Sequence, residues 1–207
     1  MGLATRPAGF RRRSSRGTLA SMEIMSFASS RDFRAWLSKN HRQSDGILLR
    51  IYKKDSELRT VTYAEALDQA LCFGWIDGQK RPSDKQSWLQ QFTPRRRNSG
   101  WSKTNTQHAE RLIATGEMTP AGLREITAAK ADGRWDAAYD SFSNAAIPDD
   151  FLKELARNKK AKAFFETLNK TNLYSIAYRL QTAKKPETRE NRMRAIIDKL
   201  ARGEKFH

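Results

Sequence analysis

The residues best equipped for chemistry lie in one run, TPRRRNSGWSKTN, residues 93–105. Arg95, Arg96 and Arg97 present forked guanidinium donors that match the geometry of carboxylate and phosphate. Ser99 and Gly100 let a backbone approach a ligand closely, and Trp101 offers a stacking face. Lys103 adds charge just before a helix whose N-terminus itself favours anions. This pattern points to an anion pocket or a nucleic-acid contact. The same residues also fit a structural role, with one or two arginines paired to Asp77 or Asp84 and Trp101 in the core.

A second run, WIDGQK, precedes it. Trp75 and Ile76 are expected to pack, while Asp77 and Lys80 lie near the end of a strand and can orient the arginine loop. Asp77 fits a turn or ion-pair role better than that of a general base. A third basic cluster, AKKPETRENRMR, carries Lys184, Lys185, Arg189, Arg192 and Arg194 on or beside a helix opened by Pro186. A solvated helix face is the default reading there, and contact with nucleic acid or an anionic surface the other. His41, His108 and His207 are scattered and Cys72 is the lone cysteine, so no metal site is expected. Walker A, GxGxxG and GxSxG patterns are absent, and no cofactor is expected.

These residues belong to a chain of 207 residues with a formal net charge of +16. Residues 1–25 hold five arginines and one acid, and residues 151–207 hold fifteen Lys/Arg against six Asp/Glu. The basicity is therefore concentrated at the two ends. It favours an anionic ligand, an acidic partner or nucleic acid, without choosing among them. No apolar run approaches the roughly 20 residues needed to span a bilayer, so the expectation is a cytoplasmic protein with no membrane span. The arginine- and serine-rich head, residues 1–25, is expected to lie outside the fold. It reads as a disordered tail, as an upstream extension with translation beginning at Met22 or Met25, or as a presequence addressed to the mitochondrial matrix.

The elements that must position these groups follow from local pattern. Ser29 or Ser30 caps a helix whose Phe33, Trp36 and Leu37 share a face. Residues 46–54, GILLRIYKK, read as a strand. Thr62 and Glu65 form a capping-box pattern for the next helix, which Gly74 ends. Residues 75–81 read as a strand with a turn at Asp77–Gly78, and residues 87–94 as a second, with Trp88, Gln90 and Phe92 on one face. Ser102 or Thr104, then Thr119 with Pro120, start two more helices. Residues 136–148 read as a linker, and four short amphipathic helices follow from Pro148. The expected fold is α+β: a small antiparallel sheet of about three strands packed by helices, residues 26–140. An all-helical C-terminal third, residues 148–207, is expected to pack on that core.

Three ordered blocks, TYAEALDQALCFGWIDGQ, FTPRRRNSGWSKTN and AKKPETRENRMRAIIDKLARG, resemble the YdeI/OmpD-associated family, also called bacteriocin-protection proteins. The resemblance runs from about Phe27 to Phe206. It implies a compact α+β fold and an association with stress responses and tolerance of cationic antimicrobial peptides. It brings no established reaction or catalytic residue. The reading is thus a non-enzymatic, resistance-associated protein whose Arg/Trp loop binds an anionic ligand or partner. A nucleic-acid-binding protein and an enzyme acting on a small anion are the alternatives.

Overall fold

The computed structural model describes residues 22–140 and 144–206. The arginine-rich head lies outside the described residues up to position 21. Its last residues do not behave as expected. Glu23–Met25 form a strand (β1) that pairs in parallel with β2 (Ile47–Tyr52), Glu23 opposite Ile47 and Met25 opposite Leu49. The sheet therefore has four strands rather than three and is mixed rather than antiparallel, in the order β1-β2-β4-β3. β3 (Trp75–Pro82) and β4 (Ser87–Pro94) form the hairpin, and β4 also pairs antiparallel with β2. What reads locally as a turn at Asp77–Gly78 is a bulge: the register shifts between Asp77 and Lys80 while β3 continues to Pro82.

Between β1 and β2 runs α1 (Ser30–Asn40), with Ser29 Oγ accepting from the Asp32 amide. α2 (Tyr63–Cys72) carries β2 to β3, and both halves of its capping box are made, Thr62 to the Glu65 amide and Glu65 back to the Thr62 amide. β4 inserts between the two strands that α2 connects, the split βαβ arrangement. α3 (Lys103–Ala114) and α4 (Pro120–Ala131) complete the first part. α4 approaches α2 closely through Gly122: a Cβ there would stand 2.6 Å from the carbonyl oxygens of Leu71 and Cys72. Its N-cap residue answers the end of α2, the Thr119 amide and hydroxyl both donating to the Cys72 carbonyl oxygen.

The last four helices are α5 (Asp149–Leu155), α6 (Lys159–Phe165), α7 (Lys170–Gln181) and α8 (Pro186–Ala201). Most buried apolar side chains of the described residues fall in two clusters. One joins Phe33, Leu37, Leu49, Leu71, Trp75, Phe92, Trp101 and Trp135 across the sheet and α1–α4. The other joins Phe151, Leu155, Ile176, Leu180, Ile196 and Leu200 within α5–α8. The helical third thus has its own core. It meets the first part at a seam of rings and polar groups, Tyr139 edge-on to Tyr178 with centroids 4.9 Å apart and Asp140 bonded to Gln181.

Candidate functional site

β4 hands the chain to the arginine loop, and the Arg95 amide donates to the Gly74 carbonyl over 3.0 Å, fixing the loop to the α2–β3 junction. From there the Arg95 side chain turns inward and is only 8 % exposed. Its guanidinium carbon lies 3.5 Å from the centre of the Trp101 ring, and Nη1 donates to the Gly100 carbonyl over 3.1 Å. Nε and Nη2 are buried with no hydrogen-bond partner. Each such donor costs about 1–3 kcal/mol. Burial pulls this guanidinium down to about 10; Tyr139, Glu125 and Asp77 favour its charge, and Arg134 opposes it. Trp101 is itself core, with its ring centroid 4.9 Å from that of Trp135. A second buried arginine completes the clamp: Arg134 Nη1 donates to the Ser99 carbonyl over 2.9 Å while Nε reaches Asp132. Two guanidiniums thus hold consecutive carbonyls of the loop, leaving Arg96 and Arg97 exposed.

The segment expected to be a plain linker closes this loop from outside. Tyr139 donates its amide to the Trp101 carbonyl over 3.0 Å and accepts from the Lys103 amide over 2.9 Å. Its ring lies over Gly100, where a Cβ would stand 3.4 Å from it. Burial first, then Tyr178 and Tyr174, push the Tyr139 phenol up to about 12, against the pull of Arg95. Lys103 is paired with Asp140 at 2.8 Å.

Asp77 and Lys80 line a neighbouring cleft of about 390 Å³ together with Tyr63, Trp88 and Gln90. The Tyr63 hydroxyl donates to Asp77 over 2.7 Å. Burial and the adjacent carboxylate raise the Tyr63 phenol well above its ordinary value. Lys80 Nζ sits 4.5 Å above the Trp88 ring. Asp84, the other acid considered for the arginine run, is engaged by Arg50 at 2.9 Å and by the Gln86 and Ser87 amides. Arg95 is therefore held by one carbonyl and one ring rather than by Asp77 or Asp84.

The structure brings Arg95 onto Trp101 and places Asp77 within electrostatic range of both Arg95 and Tyr139. It does not bring Trp75 there. Trp75 is 1 % exposed in the core, with its indole N–H on the His41 carbonyl and its ring edge-on to Trp36. Sequence reasoning missed Tyr63, Arg134 and Tyr139. In the C-terminal cluster Lys184 and Lys185 are exposed, but Arg189 grips both oxygens of Asp150 and Arg192 donates to the Arg179 carbonyl over 2.7 Å. Those two arginines tie α8 to α5 and α7, which reduces the open basic stripe. Among the described residues no group of three or more His, Cys, Asp or Glu is arranged to hold a metal ion. None of the described helices is long and apolar enough to cross a membrane.

Comparison with known proteins divides the chain in a similar way. Residues 25–125 match a domain of unknown function (DUF8412), and residues 144–203 match the family described as Bacteriocin-protection, YdeI or OmpD-Associated. No curated protein and no solved structure matches the chain. The first match falls on the sheet with α1–α3 and the start of α4, and the second on α5–α8.

Proposed function

We propose that this protein works by binding an anionic ligand or partner at the Arg95–Trp101 loop, without catalysing a reaction, in the bacteriocin-protection setting named by the description of the family that α5–α8 match. The observation that supports the reading is the Arg95 side chain, a cation more than nine-tenths buried, with no ion-pair partner and two donors unanswered. Buried charges are ordinarily paired, because an isolated one costs several kcal/mol. An anion seated on Arg95, with Arg96 and Arg97 at the rim, would supply the missing acceptor. A net charge of +16 repels a cationic peptide, so any protection against such peptides is indirect.

The test is a titration of the full chain with small carboxylate and phosphate anions, followed by tryptophan emission. A saturable change is expected. It should vanish in Trp101→Phe and weaken about tenfold in Arg95→Lys, which keeps the charge and loses the fork. A response absent altogether, or unaltered by Arg95→Lys, overturns the reading.

A further inference from the structure

On the other side of α2, a cavity of about 520 Å³ opens between α1 and the start of α4. Its volume is in the range of small-molecule sites. Arg31, Arg34 and Arg42 come from α1 and the turn after it, Arg124 comes from α4, and no carboxylate lines the space. Among the described residues none of the four is in an ion pair. Arg34 is held instead by neutral acceptors, the Gln69 amide oxygen at 2.8 Å and the Glu117 carbonyl at 2.9 Å. Its guanidinium carbon is 5.4 Å from the centre of the Phe73 ring.

His41 also lines the cavity. Its ring is 5.3 Å from that of Phe73, and its Nδ1 is 2.9 Å from the Leu37 carbonyl. Nδ1 is therefore the protonated nitrogen, which leaves Nε2 buried with no partner. The N-terminus of α4 contributes little to the attraction, because its dipole is already met by the last carbonyl of α2 through Thr119. What draws an anion here is the guanidinium cluster.

We propose that this cavity binds a phosphate-bearing small molecule, separately from the Arg95 loop. Four guanidiniums lining one cavity from α1, the turn after it and α4 suit a tetrahedral dianion, which accepts from several forks at once, better than a single planar carboxylate. Phe73 offers an apolar face for the organic part of the ligand.

The experiment is calorimetric titration of the full chain with inorganic phosphate, pyrophosphate and citrate, at ionic strength held constant with chloride. Saturable binding of phosphate or pyrophosphate is expected. Arg42→Ala/Arg124→Ala, which alters two exposed side chains, should weaken it about tenfold or more. Lys159→Ala/Lys160→Ala, which removes two exposed charges of α6 outside both the cavity lining and the loop, should leave it unchanged. The proposal is overturned by any of four results: no saturation at millimolar phosphate or pyrophosphate, citrate bound in preference to both, equal loss in the two double variants, or no loss in Arg42→Ala/Arg124→Ala.

Discussion

Arg95, Arg96 and Arg97 are identical letters with different fates. Only Arg95 is drawn inside, because its amide is tied to the Gly74 carbonyl and Trp101 lies under its side chain. The run stands out in the sequence as a basic cluster, but which arginine turns inward depends on a strand junction and a tyrosine 44 positions later. Tyr63 was equally hard to read. It follows the capping threonine and reads as the first residue of an apolar helical stripe until β3 brings Asp77 to its hydroxyl. Tyr139 yields a pH prediction. Its phenol stays neutral in the fold up to about 12, whereas in the unfolded chain it ionises near 10. Its contribution to stability is thus complete below about pH 10 and is lost as pH rises toward 12. Arg95 acts in the opposite sense, since the unfolded chain holds that proton more tightly. Tyr139→Phe should therefore flatten the alkaline fall in unfolding free energy by up to about 1.4 kcal/mol per pH unit, measured by urea denaturation between pH 9 and pH 11.5.

At the scale of elements, local signals carried well. The caps at Ser29, Thr62 with Glu65, and Thr119 with Pro120 are short-range chemistry, and the helices they predict begin where expected. β1 was not legible. Three residues, Glu-Ile-Met, have no period to read, and their strand exists only because β2 offers an edge more than twenty positions away. The bulge in β3 was read as a turn for the same reason, because its register is set by β4. The basic face of α1 was present in the sequence, since Arg31, Arg34, Ser38 and Arg42 recur at helical spacing beside the apolar stripe. What closes it into a cavity is the contact of α2 with α4, which no local pattern encodes. β1 gives a direct test. A chain spanning residues 22–207 should be more stable than one spanning 26–207 by about 2 kcal/mol, the worth of a short ladder of hydrogen bonds, read as a higher urea midpoint. Equal midpoints would mean that β1 adds nothing to the fold.

At the scale of the molecule, the two apolar clusters predict two unfolding events. All five tryptophans, Trp36, Trp75, Trp88, Trp101 and Trp135, lie in or against the first core, and α5–α8 have none. Tryptophan emission therefore reports the sheet and α1–α4, whereas far-ultraviolet circular dichroism reports the helices of both parts. The two urea transitions should not coincide. A single shared midpoint would show that the seam makes one cooperative unit of the chain. That seam also has a mechanical meaning. The strand-like rung at Tyr139 joins the chain leading to the helical third directly to the main chain on either side of Ser102. Tension arriving along that segment is borne as shear by two main-chain hydrogen bonds. Its points of application are the Trp101 carbonyl and the Lys103 amide, so a tug on the C-terminal helices reaches the residue whose ring carries the Arg95 guanidinium.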